Sequence, residues 1–185
     1  MKFFYMIIMI CCFFGANMQA ESYIYTNGKA SLSLPSKGVT LYNGVPVQII
    51  SKQGNNVKIK IKGFVAKNDT TKLYATTNRS LLLASVKNKK NLIKVSKGEG
   101  ILVINVPKNI LTDDMDEAWE TNSDLFYDKC TKCHHAKVIK NHTMMEWEAI
   151  FGSMKQKAKT SNKQNKLIIR FLKAFAKDGI LTESN

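Results

Sequence analysis

The stretch Val57-Lys58-Ile59-Lys60-Ile61-Lys62 alternates strictly between an apolar residue and a lysine. Successive side chains of a β-strand point to opposite faces, so this pattern predicts a half-buried strand with its apolar side inward and its lysine side in solvent. The spacer 51–56, which contains Gly54, fits a hairpin loop to a preceding strand at 45–50.

The surrounding region, residues 22–108, is β-rich. Turn residues recur there between short runs of β-branched residues, and further candidate strands are 72–75, 81–86, 92–95 and 101–106. Several short strands at this spacing indicate a small barrel or sandwich. By its order of strands and glycines, the stretch 30–65 resembles a bacterial SH3-like domain, a family that mediates binding or docking. A purely structural spacer is the alternative interpretation.

Beyond residue 123 the apolar period becomes helical. Thr143 with Glu146, and Ser161 with Gln164, have capping-box spacing. The helices that they open gather their apolar residues on one face each. The first face holds Met144, Trp147, Ile150, Phe151 and Met154, and the second holds Leu167, Ile168, Phe171, Leu172 and Phe175. Three short helices cannot bury a large core of their own.

These patterns predict an α+β fold in which an N-terminal small β-barrel (SH3-like) is followed by a small helical domain. The expected division is a signal peptide at 1–20, the β-rich domain at 21–108, a linker at 109–123 and the helical domain at 124–185. The linker contains the acidic run 112–117, which could also form a first helical turn.

The N-terminus reads as a secretory signal peptide, because a basic start at Met1-Lys2 is followed by an apolar run over 3–14 and by a small residue, Ala20. An uncleaved anchor is the alternative. Cleavage would remove Cys11 and Cys12, so the mature chain would have no disulfide framework. The protein is therefore expected in the periplasm.

Cys130-Thr131-Lys132-Cys133-His134 has the spacing of a c-type haem attachment site. Two thiols three residues apart on a helical turn can each form a thioether with a haem vinyl group, and the following His can ligate the iron as proximal ligand. This attachment takes place outside the cytoplasm, in agreement with a signal peptide. One motif predicts one covalent haem c, and it makes the helical region a small cytochrome c-type domain.

Two other interpretations of the cysteine pair remain. A redox disulfide would need a βαβ context, which the sequence lacks. A zinc site would need His134, His135 or His142 to complete the ligand set.

The distal iron ligand is open at this stage. Met154 lies on the apolar helix face with Trp147, and His142 is the alternative. Met144, Met145 or an open sixth position are further options. Each methionine could equally be ordinary core packing.

The residues around the motif resemble a known family. Phe126 to His134, then His142, Thr143, Trp147 and Met154-Lys155, are similar to the C-terminal haem domain of the pentahaem cytochrome of the trimethylamine-N-oxide reductase system. They also resemble the monohaem cytochromes that accompany periplasmic molybdopterin reductases of N- and S-oxides. The resemblance covers roughly residues 108–178. It implies thioethers at Cys130 and Cys133, His134 as proximal ligand and Met154 as distal ligand.

The resemblance also implies a role, which is to pass electrons to a periplasmic molybdopterin reductase in anaerobic respiration. Because the four additional haems of the pentahaem relative are missing, an upstream cytochrome or quinol dehydrogenase is expected as donor. An electron carrier is not an enzyme and needs no small-molecule substrate. The alternative is a haem-based ligand-binding or sensor protein with an open sixth site.

The chain is strongly basic, with 28 Lys and Arg against 14 Asp and Glu and a formal charge of +14, which loss of Lys2 lowers to +13. Nucleic acid is not expected as a partner of an exported protein. One interpretation of the charge is a solvated lysine-rich surface, and the other is an acidic protein partner or an anionic membrane surface. Lysines such as Lys132, Lys137 and Lys155 could steer a reductase toward the haem edge.

Overall fold

The computed structural model describes residues 22–87 and 93–181. These residues form ten strands and three α-helices. The strands are β1 (Ser22–Ile24), β2 (Ser31–Leu34), β3 (Val39–Tyr42), β4 (Pro46–Gln53), β5 (Asn56–Ala66), β6 (Asp69–Tyr74), β7 (Leu82–Val86), β8 (Ile93–Ser96), β9 (Glu99–Pro107) and β10 (Leu111–Thr112). The helices are α1 (Met115–Cys130), α2 (Met144–Met154) and α3 (Asn162–Ala174), and short 3₁₀ turns lie at Pro35–Lys37, Lys108–Ile110 and Ile139–Asn141.

The alternating stretch lies in β5, the strand that joins the parts of the sheet. One edge of β5 pairs with β9, from Asn56↔Pro107 to Phe64↔Glu99, and β8 follows β9. The other edge pairs first with β4 and then with β6, and all pairs are antiparallel. The path β10-β1-β4-β5-β6-β7-β3-β2 completes the sheet. The register shifts between β4 and β5, between β5 and β6 and between β6 and β7, and irregularities of this kind sharpen the twist and help the sheet curl into a half-barrel.

The inside of the curl is a core of strand side chains. Val57, Ile59 and Ile61 of β5 are at most 1% exposed, and Leu102 and Val106 of β9 are fully buried opposite them. Burying each such side chain contributes about 1.5–3 kcal/mol. The apolar half of the alternation therefore fills the barrel interior, and its lysine half stays on the outside, as predicted.

The helices begin where the sequence predicts caps. The Thr143 and Ser161 side chains each accept a hydrogen bond from the backbone N–H three residues on, and Glu146 and Gln164 bond back to the cap residues. Each such cap is worth about 1 kcal/mol. In α1, which begins earlier than the residue-123 boundary, the Asp114 side chain accepts from the N–H groups of Asp116 and Glu117.

The predicted fold class is wrong: residues 22–87 and 93–181 form a curled, mostly β half-barrel sheet that carries three helices. Within these residues there is neither a small SH3-like barrel followed by a separate helical module nor a small helical cytochrome domain. The helices share one apolar cluster with strand-side residues, namely Leu81, Tyr23 and Ala75. The physical reason is that three short helices bury too little apolar surface among themselves, so they cover the ends of the strands.

Polar contacts hold the helices on the sheet. The buried Asn43 amide, just after β3, donates to the carbonyl oxygen of Ala118 in α1 at 2.6 Å and accepts from the hydroxyl of Thr26. From α3, the Arg170 guanidinium donates to the carbonyl oxygens of Asn43 and Leu82 at 2.7 and 2.8 Å. Burial lowers the pKa of Arg170 to about 9, so it remains a cation at neutral pH.

A turn glycine permits the closest approach between the two layers. Gly44 has a φ of +69°, and a Cβ built there would lie 2.1 Å from the Trp119 ring of α1. The Asn43-Gly44 turn is therefore the place where α1 meets the sheet.

Two predictions concern the ends of the domains. The linker predicted at 109–123 corresponds to β10 and the first half of α1. The signal peptide predicted at 1–20 lies outside the described residues, and so do the cysteines that it contains.

Among the helices of the described ranges, none is long and apolar enough to cross a membrane.

Candidate functional site

The cysteine motif lies where α1 ends. Cys130 is the last residue of α1 and is half-buried, whereas Cys133 is exposed on the segment that follows. The two thiols are not joined to each other. Burial raises the pKa of the Cys130 thiol, so this sulfur is held in its protonated form at neutral pH.

One nitrogen of the His134 imidazole faces the backbone of its neighbour. Its Nδ1 lies 2.9 Å from the carbonyl oxygen of His135. A carbonyl oxygen only accepts hydrogen bonds, so Nδ1 is the donor in this contact, and Nε2 is the nitrogen that a neutral imidazole has left for a metal. A neutral histidine whose second nitrogen is tied to a carbonyl is a common arrangement for metal ligation.

A cavity of about 480 Å³ lies between the end of α1, the segment after it, α2 and α3. Its volume falls within the range of small-molecule and cofactor sites. Most of its wall is apolar, formed by Phe126, Ala136, Trp147, Ile150, Phe151, Ala158 and Leu172. Cys130, Cys133 and His134 line the same cavity.

Met154 also lines this cavity, from the last turn of α2. The Thr143 cap sets where α2 begins, and positions 147, 151 and 154 then fall on one helical face. Trp147 and Phe151 are buried on that face, and Met154 is half-buried beside the cavity. The cavity thus contains all four residues that the resemblance implies as haem contacts.

The other candidate ligands lie elsewhere, outside the lining of the cavity. The His142 ring meets the Trp147 ring edge-on at 5.1 Å. Met144 is fully buried, and its N–H donates to the Asp178 carboxylate at 2.7 Å. Met145 is 68% exposed.

The segment between α1 and α2 is held by Trp147. The indole Nε1 donates to the carbonyl oxygen of Ile139 at 2.8 Å, which ties this segment to α2. On the other side of the segment lies a second cavity, of about 680 Å³, between α1 and α3. Ala136 and Lys137 line both cavities, so the segment is a thin wall between them.

Three lysines add positive charge to the mainly apolar cavity. Lys129, Lys137 and Lys157 line it together with Ser153. Lys129 also pairs with Asp128 at 2.8 Å, and Lys132 pairs with the same carboxylate at 3.1 Å. Hydrogen bonds from these two lysines lower the pKa of Asp128. Sequence reasoning missed the cavity role of Lys129, Lys157 and Phe126, although Lys129 directly precedes the first cysteine of the motif.

One alternative interpretation of the cysteine pair is a zinc site, which needs further ligands close to the two thiols. Within residues 22–87 and 93–181, no three His, Cys, Asp or Glu side chains form a group that could hold a metal ion. His142, one of the three alternative histidines for that interpretation, packs on Trp147. Haem differs because it needs only the two thiols and one or two axial ligands from the protein.

Comparison with protein-family models, with curated proteins and with solved structures found no match to this chain. The resemblance to the monohaem and pentahaem cytochromes therefore stays a prediction that rests on the residues quoted for it.

Proposed function

We propose that the chain is an exported c-type cytochrome that carries electrons to a periplasmic molybdopterin reductase of the trimethylamine N-oxide or dimethyl sulfoxide type. One observation carries this proposal: Cys130, Cys133, His134 and Met154 all line one mainly apolar cavity. The motif alone does not require a sulfur ligand 20 residues beyond His134 to reach the same cavity. Their meeting is therefore support that is independent of the motif.

The residues present fit haem c. Each thiol, Cys130 and Cys133, can add its S–H across a vinyl double bond to give a thioether. Nε2 of His134 is the nitrogen available to iron, because Nδ1 faces a carbonyl oxygen. Met154 would hold the iron through its sulfur, and a thioether ligand raises the reduction potential relative to a second histidine. When bound, haem supplies reversible one-electron chemistry at its iron.

The remaining lining residues suit the rest of the group. Phe126, Trp147 and Phe151 are buried in the wall and exclude water, which is one of the factors that tune the potential of a haem site. Lys129 and Lys157 bring ammonium groups that can pair with the two haem carboxylates.

A carrier with two protein ligands on iron has no free position for a substrate, so we infer electron transfer and not catalysis. Lys132, Lys137 and Lys155 are exposed near the motif or at the end of α2 and can steer an acidic partner surface. The donor would be an upstream cytochrome or quinol dehydrogenase. Export by residues 1–20 would bring the chain to these partners.

Covalent attachment of haem to Cys130 and Cys133 is tested by expressing the full chain in a host that matures c-type cytochromes. We expect one iron per chain and haem that stays with the denatured polypeptide. The Cys130→Ala/Cys133→Ala variant should lose the covalent haem, and His134→Ala should lose the native spectrum. His135→Ala is the matched control, because its exposed imidazole is outside the cavity lining, and it should keep both. A colourless wild-type protein, or one whose mass lacks the porphyrin, would overturn the proposal.

The distal ligand is tested separately. Wild-type protein should be low-spin and show a weak near-infrared sulfur-to-iron band when oxidised. Met154→Ala should abolish that band and admit carbon monoxide, whereas Met145→Ala, at an exposed position of the same helix, should change neither. If the wild-type haem is already high-spin and binds carbon monoxide rapidly, a ligand-binding or sensor role is favoured over electron transfer.

The partner is tested by mixing the reduced protein with a trimethylamine N-oxide reductase and its substrate. We expect reoxidation whose rate falls as ionic strength rises, because the steering charges are exposed. Absence of reoxidation would reject this partner and leave the haem site untouched.

A further inference from the structure

Three lysines stand in a row on the outer side of β5. Lys58, Lys60 and Lys62 alternate with the buried Val57, Ile59 and Ile61. Because a strand rises about 3.3 Å per residue, their Cα atoms follow one another at about 6.6 Å along one face. The row is therefore a regular line of positive charge outside the curled sheet.

The register adds a fourth lysine to this row. Lys62 is opposite Ile101 of β9, and Ile101 is opposite Lys94 of β8. Residues opposite one another in antiparallel strands point to the same side of the sheet, so Lys94 lies on the same face two strands away. We call Lys58, Lys60, Lys62 and Lys94 the lysine face.

The face carries little negative charge. The direct cross-strand partners of its lysines on β4 and β9 are all uncharged, and they are Gln48, Ser51, Ile101, Val103 and Asn105. By the same register, Glu99 alternates with Ile101 and is the acidic residue of these strands on this face, whereas Lys52 of β4 lies opposite the buried Val57. The face therefore carries four lysines and one glutamate. The face is therefore complementary to a surface of repeated negative charges.

The side chains favour a lipid surface over a protein surface. Protein interfaces are enriched in Tyr, Trp and Arg and are depleted in Lys. The face has lysines separated by aliphatic and small polar residues, and the whole chain contains two arginines, Arg79 and Arg170. Lysine is a flexible, hydrated point charge, which suits delocalised attraction to anionic headgroups.

We propose that the lysine face docks the protein on the surface of anionic phospholipid bilayers. The haem-site cavity is lined by α1, α2, α3 and the residues after them, and by none of the strands in this face. Docking therefore leaves the cavity open to another partner and does not depend on haem.

The number of lysines on the face sets the expected change in affinity for anionic vesicles. A lysine close to an anionic membrane surface contributes about a fivefold gain in affinity at physiological salt. Losing three lysines from the face should therefore weaken vesicle binding about 100-fold, and raising the salt should weaken wild-type binding in the same direction.

The test is co-sedimentation of the full chain with vesicles of phosphatidylcholine alone or mixed with phosphatidylglycerol. Residues 1–20 are present in every sample, and binding to the neutral vesicles measures how much they contribute to vesicle binding. The variant Lys58→Gln/Lys60→Gln/Lys62→Gln is compared with Lys163→Gln/Lys166→Gln/Lys177→Gln, which removes the same charge from exposed positions of the helical part. We expect the first variant to lose about 100-fold in affinity for the mixed vesicles and the second to lose less than about fivefold.

Three outcomes would overturn the proposal. Equal losses in the two variants would mean that overall charge, and not this face, attracts the bilayer. Equal binding of wild-type protein to neutral and anionic vesicles would remove the electrostatic mechanism. Preference for an immobilised acidic polypeptide over anionic vesicles at the same salt would identify a protein as the partner.

A second measurement uses the wild-type chain, so it does not depend on whether a variant folds. Amine-reactive labelling, followed by mass spectrometry, should show Lys58, Lys60, Lys62 and Lys94 protected by anionic vesicles and Lys163 and Lys166 unprotected. The reverse pattern would place the bilayer on the helical part and contradict the proposal.

Discussion

The inside of the sheet and the space among the helices are built differently. The interior of the curl is filled by the chain's own aliphatic side chains, many of them fully buried. The helices pack on the strand ends on one side and enclose a cavity of about 480 Å³ on the other. The contrast shows that the sheet needs no other molecule to complete its core, whereas the helical layer has room for a bound group.

The contact between the two regions is expected to give the largest effect. Gly44→Ala combines a left-handed backbone with a Cβ placed against the Trp119 ring, and we expect a loss of about 4 kcal/mol in the free energy of unfolding. Urea denaturation measures it. Gly54→Ala is the matched control, because Gly54 also has a positive φ but no neighbour within 4 Å, and it should cost about 1 kcal/mol. Equal costs would mean that α1 does not press on this turn.

An Ile→Ala substitution in the sheet interior can be compared with the same substitution in the wall of the helical cavity. Ile59→Ala removes a fully buried side chain from the sheet interior and should cost about 3 kcal/mol. Ile150→Ala removes a half-buried side chain from the cavity wall and should cost about 1 kcal/mol in haem-free protein, since fewer neighbours lose contact. Calorimetry of both variants, with and without haem, should show a larger Ile150 effect in the loaded protein. An equal loss at both sites in haem-free protein would contradict the contrast.

The caps of the helical layer should give a smaller effect. Thr143→Ala removes the capping box of α2 and should lower stability by about 1 kcal/mol, while Thr143→Ser should retain it. Ser161→Ala should do the same for α3. Thermal unfolding followed by circular dichroism checks the three variants, and a neutral Thr143→Ala would show that tertiary packing alone holds the start of α2.

The smallest effect concerns a turn of the sheet. Asp69 accepts hydrogen bonds from Thr71 and pairs with Lys72, which lowers the pKa of its carboxyl from 3.8 to about 2. A carboxyl whose pKa is lower in the folded than in the unfolded protein stabilises the fold at pH values above its unfolded-state pKa. This stabilisation is lost as the pH falls from about 4 to about 2. Because the pair is partly exposed, the contribution should be below about 1 kcal/mol. Asp69→Asn should remove this part of the pH dependence, and an unchanged acid-denaturation curve would contradict it.

Local patterns were predictable because their causes lie within a few residues. The alternation at 57–62 lies in β5, and the two capping boxes open α2 and α3 as expected. The predicted strands at 45–50, 72–75, 81–86, 92–95 and 101–106 overlap β4, β6, β7, β8 and β9. The cysteine motif is also a short-range pattern, but its interpretation as a haem attachment site stays a prediction.

The packing of the helices on the sheet was not predictable from the sequence. Asn43 reaches α1 over 75 residues, and Arg170 reaches Asn43 over 127. Nothing in the sequence near Asn43-Gly44 distinguishes an ordinary turn from one that receives the Trp119 ring. The expectation of a separate helical domain failed for this reason.

The strands and two helix starts follow from the amino-acid sequence alone, because hydrogen-bonding caps and side-chain alternation act over short distances. Haem attachment at Cys130 and Cys133 stays a prediction from the sequence. Tertiary structure decided that the helices cover the sheet and that Met154, and not His142, shares a cavity with His134. Those outcomes depend on which surfaces bury one another best, and burial joins residues that are far apart in the chain.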